Sequence, residues 1–431
     1  MHPDPIFLDF EAPRVNSPIR LVIVGDCVIP PSSPTLPLGD DVLERIRTAD
    51  RAIANLEAPI TDEPDPIDKS GPVKRAAGTA PELLVDAAFD AVTLANNHSM
   101  DYGNGGLRDT LAACENAGLA TVGAGDSASA ALEPLTTEIG TTTVTVLNVC
   151  EREFGIATDD TPGTAWIGHP SVESRIAAAR DEADLVFVIA HGGIEYVPFP
   201  PPHVQRRFRS LIDSGADLIV GHHPHVAQGW ERYHDGLILY SLGNFFFRQS
   251  RAETQWGLLL DLELQEDGTG SAVVVPVDAR GERVVEMQEP ERSAHVDHLS
   301  RLAEVTGDAQ TLTAHWQAQA TRVFDRRYTE WLTKGVGALP RQFVDNPRHV
   351  VDVPGRFNES ADPFVLLNLI RNESHRAVIR TALEVRTGDV PDRRTAAVER
   401  TVNERLAWTD PPAEHEPGLF RRGLNRLLPD R

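Results

Sequence analysis

Three histidines in four residues, Gly221-His222-His223-Pro224-His225, follow the apolar run Asp217-Leu-Ile-Val220 without a gap, and packing alone does not explain them. An extended backbone would put His223 and His225 on one side and turn His222 away, into the core or behind the ligands. Asn96-Asn97-His98 is a second polar cluster. Asparagine offers a neutral oxygen ligand, and the adjacent histidine can ligate or act as an acid near neutral pH. Alone, such a tripeptide reads as a turn or a cap. Asp26 and Glu57 are weak signals singly, because a carboxylate after a strand is commonly a cap or loop residue. Beside histidines they supply the anionic ligands that a two-ion centre needs. His191 heads Gly192-Gly193-Ile-Glu195-Tyr196, whose glycines let backbone approach a ligand closely. Glu195 is open between a metal ligand, a partner for a ligand histidine and a solvated loop charge. Oxygen and imidazole donors together suit one or two divalent ions such as Mn, Zn or Fe. The chemistry they imply is metal-assisted hydrolysis.

These side chains share a position. Residues 20–25, 51–55, 91–95, 142–149, 185–190, 217–220 and 237–242 read as short apolar strands. Helical patterns at 40–49, 81–89, 106–117, 172–182 and 204–214 alternate with them. That order implies an α/β core with a largely parallel or mixed sheet covered on both faces. Asp26, Glu57, Asn97, His98, His191, His223 and His225 each stand just past the carboxyl end of such a strand, the edge where open α/β sheets bind ligands. Runs 258–264 and 271–277 alternate around Glu266-Asp267-Gly268 and read as a closing hairpin. Beyond about residue 280 the pattern turns helical, over 296–333 and 364–386, with a loop-rich stretch at 335–363 and a linker at 388–394. The expected division is a core of residues 18–280 and a mainly helical C-terminal extension of residues 281–431. The extension would pack on the core or make a homo-oligomer contact.

Composition narrows the partners. A net charge of -23 repels nucleic acid, which leaves a small-molecule or polymer substrate. Only Lys69, Lys74 and Lys334 are lysines among the 41 basic residues. No apolar run reaches the ~18 residues of a membrane span, so no integral membrane segment is expected. The acidic, proline-broken start lacks the basic and apolar regions of a secretory signal, and a cytoplasmic protein is the simplest reading. Cys27, Cys114 and Cys150 are odd in number and widely spaced, which reads as buried reduced thiols. Nothing in the sequence sets a base beside Cys27 to make it a nucleophile. The basic amphipathic stretch 419–428 is too short to anchor the chain to a membrane.

Taken in order, Val24-Gly-Asp26, Asn55-Leu-Glu57-Ala-Pro59, Leu94-Ala-Asn-Asn-His98, Asp101-Tyr-Gly103, His191-Gly-Gly-Ile-Glu195-Tyr196, the stretch from Gly215 to His225 and Tyr240-Ser-Leu-Gly-Asn244-Phe245 resemble the CapA family. That family is named for poly-γ-glutamate capsule synthesis and is similar to calcineurin-like metallophosphoesterases. The resemblance spans about Arg20 to Phe247. It implies a layered αββα core with mixed sheets and a site in which Asp26, Glu57, Asn97, His191, His223 and His225 hold metal. His98 would be the catalytic acid. Glu195, His222, Asp101 and Asn244 would be further ligands or support the ligands. The wider phosphoesterase pattern carries a histidine two residues after its first aspartate; this chain has Val28 there, and Glu195 is the candidate to replace it. The reaction implied is hydrolysis of a phosphoester or a γ-glutamyl-type amide. The alternative is a non-catalytic, metal-binding accessory or scaffold of polymer assembly.

Overall fold

The computed structural model describes residues 6–8, 13–336 and 362–409. Its centre is two stacked sheets. In the first, strands run in the order Ile6–Leu8, Gly270–Asp278, Trp256–Leu264, Ile19–Cys27, Arg51–Leu56, Ala91–Thr93 and Ala120–Val122. Asn244–Phe246 pairs with Ile19–Cys27, and Val285–Glu286 with Gly270–Asp278. In the second, the order is Trp230–Tyr233, Gly236–Leu239, Leu218–His222, Leu185–His191, Thr142–Cys150 and Leu135–Ile139. The four middle strands of this sheet are parallel, and both edges are antiparallel.

Side-chain alternation along the strands builds four layers. Leu21, Ile23, Ile53 and Leu260 of one sheet meet Val146, Phe187, Ile189 and Val220 of the other. On the outer face of the first sheet, Val22, Val24 and Ala54 pack on Val42 and Ile46 of the helix Asp40–Thr48 and on Leu84 of Ala80–Asp86. On the outer face of the second, Val186, Val188 and Ile219 pack on Ile176 of Val172–Glu182 and on Phe208 and Leu211 of Pro202–Asp213. The fold is therefore α/β with mixed sheets in an αββα order, as the alternation of strand and helix patterns implies. Each sheet is apolar on both faces, which is why its strands read as continuous apolar runs.

Several elements differ from the sequence reading. The strand expected over 237–242 ends at Leu239; the chain turns and resumes as Asn244–Phe246 in the other sheet. That crossing ties the two sheets together beside Asp26, whose N–H donates to the Gly243 carbonyl at 2.9 Å. Gly25 is required there, because a Cβ would lie 2.2 Å from the Gly243 oxygen. The single helix expected over 296–333 is broken. Asp308 stops Glu291–Gly307 and caps Ala309–Val323 by accepting from the Thr311 N–H; a π-turn at Phe324–Tyr328 precedes Thr329–Val336. Asn372 similarly separates Pro363–Arg371 from Glu373–Thr387. A helix not foreseen, Ala396–Leu406, follows the linker. The basic stretch 419–428 and most of 335–363 lie outside the described residues.

These later helices share one apolar cluster with the loop that follows His191. Trp316, Tyr328, Leu369 and Val378 pack with Ile194, Val197 and Phe199. Gln319 fixes the same loop, donating to the Phe199 carbonyl at 2.8 Å and accepting from its N–H at 3.3 Å. Among the described residues, no helix is long and apolar enough to cross a membrane.

Candidate metal centre

Strand alternation aims most of the donors. Phe187 and Ile189 face the gap between the sheets, and His191 continues their side of the strand. Leu218 and Val220 do the same for His222. Ile53 is inward, so Asn55 and Glu57 are inward too. Asp26 breaks the rule. With Ile23 inward, residue 26 should face the outer helices. A register shift between Ile23 and Asp26 inserts one extra residue against Ile53–Asn55 and re-aims Asp26 into the gap. Cys27 and Val28 then enter the outer apolar cluster. Burial pushes the Cys27 thiol up to about 12, which removes it as a nucleophile.

The histidine run is a turn, not an extended segment. His223 and His225 have φ of 97° and 57°, in the left-handed region that non-glycine residues avoid. This bend brings both rings to Glu57. The donor atoms of Glu57, His191 and His223 lie within 4.8 Å of one another, and so do those of Asp26, Glu57 and His225. Glu57 is common to both groups. Its Oε1 is 3.6 Å from His191 Nε2 and 3.7 Å from His225 Nε2. His223 Nδ1 and Asn97 Oδ1 each lie 3.1 Å from His191 Nε2.

A second layer holds these donors. His222 stands behind the ligands, its Nδ1 donating to Asp26 Oδ1 at 2.9 Å. Asn55 donates to the same oxygen at 2.8 Å. Asn244 Oδ1 is 3.0 Å from His225 Nδ1, and its amide donates to the Thr254 carbonyl at 2.7 Å. Asn96 builds the turn that presents its neighbours, accepting from the N–H groups of His98 and Ser99 at 3.1 and 3.0 Å. His98 Nδ1 meets Asp101 Oδ2 at 2.7 Å, and Asp101 in turn accepts from Lys69 and from the Lys74 N–H.

The electrostatics fit a cation. Both Glu57 oxygens are buried without a hydrogen-bond partner, which is costly for a carboxylate unless positive charge compensates. Burial pushes Glu57 well above the usual carboxylate range, with Asp26 and Glu195 adding to it against His225. Burial also raises Asp26, but the His222 and His225 imidazoles outweigh it and hold that carboxyl well below its usual range. Burial and then His223 lower His191. Burial would lower His225, yet Glu57 and Asp26 raise it to about 9. Neutral-prone groups interleaved with charged ones, around one unsatisfied carboxylate, match a set of divalent-ion donors.

The centre opens into a cavity of about 350 Å³ lined by Asn97, His98, Glu195 and His223 on the core side. The extension supplies the opposite wall, including Trp331, Asn368 and His375. Glu195 belongs to neither donor group; its carboxyl is raised by burial but held low by His223 and His225. Sequence reasoning passed over Asn55, Lys69, Glu153 and His375. Asn55 was readable from its alternation with Glu57. Glu153, 4.0 Å from His223 Nε2, stands just past the strand Thr142–Cys150 and was readable in the same way, whereas His375, against Tyr328, lies on the helix Glu373–Thr387 and left no such signal.

A family model described as bacterial capsule synthesis protein PGA_cap matches residues 21–249. A capsule biosynthesis protein CapA from Bacillus anthracis is 36% identical over 203 residues, covering 46% of this chain and 49% of that protein. A PGA biosynthesis protein CapA from Bacillus subtilis (strain 168) is 35% identical over 238 residues, covering 54% and 62%. A probable polyglutamine synthesis accessory protein from Mycobacterium tuberculosis is 31% identical over 216 residues, covering 47% and 57%. The chain thus spans about half to three fifths of the length of these relatives. Among solved structures, a hypothetical protein from Thermus thermophilus aligns with a TM-score of 0.38 and 17% identity over 60% of this chain and 99% of its own. A 5'-nucleotidase from Candida albicans gives 0.36 and 13% over 69% and 59%. With the family pattern matching more than half of its length, the chain belongs to the PGA_cap family of bacterial capsule synthesis proteins.

Proposed function

We propose that the chain is a metal-dependent hydrolase acting on a phosphoester or a γ-glutamyl-type amide bond in capsule or poly-γ-glutamate synthesis. The observation that carries this reading is Glu57, a buried carboxylate with no hydrogen-bond donor, shared by two groups of donor atoms. Asp26, Glu57, His191, His223 and His225 would hold one or two ions, with Asn97 as a neutral oxygen donor. A divalent ion, when bound, supplies Lewis acidity and a nucleophile at neutral pH.

The protein's own groups do the rest. His222 and Asn55 orient Asp26, and Asn244 orients His225, so the donors keep their geometry when charge changes nearby. Asp101 accepts a hydrogen bond from the Nδ1–H of His98, which leaves Nε2 to exchange a proton with a group in the cavity. Burial, opposed by Asp101, keeps His98 below its ordinary value, and it delivers a proton readily once it has one. The wall formed by the extension limits water around the reacting bond.

Purified full chain loaded with Mn or Zn tests this on a generic phosphodiester and on γ-glutamyl peptides. Turnover abolished by His223→Ala and by His98→Ala supports the hydrolase. Bound metal without turnover on either substrate supports the second reading, a metal-binding accessory protein of polymer assembly. Val28, buried in the core where the phosphoesterase pattern has a ligand, favours that reading.

A further inference from the structure

The cavity at the metal centre has a second imidazole on its wall, and the extension supplies it. His375 stands in the first turn of the helix Glu373–Thr387, where its N–H donates to the cap, Asn372 Oδ1, at 2.8 Å. The ring is buried and lines the cavity from the wall opposite His98 and His223. Residue 375 lies outside the stretch 21–249 that the family pattern matches, so this ring is a feature of the extension. Its orientation is fixed by two aromatic neighbours. Tyr328, at the end of the π-turn, hydrogen-bonds His375 Nδ1 through its hydroxyl. The Tyr328 ring stacks on Trp331 with centroids 5.0 Å apart, and Trp331 meets the imidazole edge-on at 6.0 Å. Such π-turns are enriched at functional sites.

The bond to Tyr328 decides where the imidazole carries its hydrogen. The Tyr328 side chain is fully buried, and among the described residues His375 Nδ1 is the one partner of its hydroxyl. Were Nδ1–H the donor, the phenol hydrogen would be left buried without an acceptor, which folded proteins avoid. Burial raises the phenol above its ordinary value, so it keeps its hydrogen and donates it to Nδ1. Burial also lowers His375, against Glu153, and the first turn of a helix further disfavours a charged ring. The neutral ring then carries its single hydrogen on Nε2. Nε2 makes no hydrogen bond among the described residues and, unlike the Glu57 oxygens, is not sealed by its neighbours, so it opens onto the cavity. Glu153 and Glu195 line the same cavity, and neither accepts from it among the described residues. His98 is the complement, with its Nδ1–H held by Asp101 and its Nε2 left to exchange a proton.

We propose that His375 is a further catalytic residue, whose Nε2–H donates to the phosphoryl or acyl oxygen that gains negative charge, while His98 serves the leaving group from the facing wall. A donor held in place before the substrate arrives stabilises that charge without reorganising. A neutral imidazole can do so with no proton transferred, the N–H bond staying intact throughout. The partner it selects is an oxygen acceptor; an ammonium or another N–H would meet a donor and be refused. A ring kept for packing alone would leave no polar atom open to the cavity. The part His375 plays in turnover rests on the hydrolase reading; the donor state of its ring does not.

Nitrogen-15 NMR of the full chain with labelled histidine reads the ring hydrogen directly. At pH 7 His375 is expected in the Nε2–H form, and Tyr328→Phe to weaken that preference. In the Zn-loaded chain, kcat on aryl phosphodiesters is expected to fall ~100-fold in His375→Ala, with metal content unchanged and the loss equal for good and poor leaving groups. His375→Gln, whose amide donates from nearly the same place, should recover part of it. His98→Ala should instead be least damaging with the best leaving group. Inorganic phosphate, titrated by calorimetry into the Zn-loaded chain, is expected to bind roughly 10-fold more weakly to His375→Ala. An Nδ1–H form of His375, or unchanged kcat and phosphate affinity in His375→Ala, would overturn the inference and leave the hydrolase reading intact. A loss confined to poor leaving groups would make His375 an acid, and overturn it too. No turnover by the unaltered chain, with the Nε2–H form present and phosphate weakened in His375→Ala, would end the hydrolase reading and leave His375 an oxyanion donor.

Discussion

His225 is held protonated at neutral pH in the metal-free protein, because Glu57 and Asp26 raise it to about 9 against the effect of burial. Glu57, pushed up by burial, also keeps a proton more readily than an ordinary carboxylate. A cation must displace those protons. Metal affinity is therefore expected to rise with pH up to about 9 and to fall as pH drops, with protons released on binding. Calorimetry in buffers of different ionisation enthalpy measures the release; a heat independent of buffer would count against these donors. A second expectation concerns Asp101. Asp101→Asn should lower kcat roughly 10- to 100-fold while leaving metal content unchanged, because Asp101 orients His98 and touches no donor. At this scale the sequence exposed the histidines, which stand just past apolar strands. It could not expose the facing of Asp26, which depends on one inserted residue, and for His222 it left open the core or a place behind the ligands, of which the structure has the second.

The strands and helices that aim these groups have their own weak points. Gly25→Ala would put a methyl 2.2 Å from the Gly243 oxygen and push Asn244–Phe246 off its partner strand. A loss of about 1–3 kcal/mol is expected from urea unfolding, together with weaker metal binding as His225 loses Asn244. The helix carrying His298 gives a pH effect. Its folded value is lowered by burial to about 4, below an unfolded value of about 6.5. The unfolded chain therefore binds the proton first. Stability from this group is intact above about 6.5 and is lost as pH falls toward about 4. His298→Gln should flatten the stability curve over that window, and an unchanged slope would show that other groups set it. The strand–helix alternation was legible because both faces of each sheet are covered. The breaks at Asp308 and Asn372 were not, since apolar spacing runs through both and only the caps, Asp308 to Thr311 and Asn372 to His375, end the helices.

Across the whole molecule, two sheets and a helical extension meet at one point. The loop after His191 packs into the extension through Ile194, Val197 and Phe199, so the wall of the cavity and the loop leaving a donor strand share one apolar cluster. Glu373 strengthens the junction, accepting from Trp166 Nε1 at 2.8 Å and the Arg152 N–H at 2.9 Å. Contacts between residues some two hundred positions apart leave no local pattern, which is why the sequence left open whether the extension packs on the core or on a second copy. The arrangement makes one quantity decisive: where a bound ion sits relative to Glu57. A crystal of the full chain grown with Mn, recorded at the anomalous edge of that metal, measures it. The expected result is anomalous density within about 2.0–2.2 Å of Glu57 oxygen, between His191 and His223, between Asp26 and His225, or at both, and its loss in Glu57→Gln. Density that avoids Glu57, or that persists unchanged in the variant, would contradict the centre described.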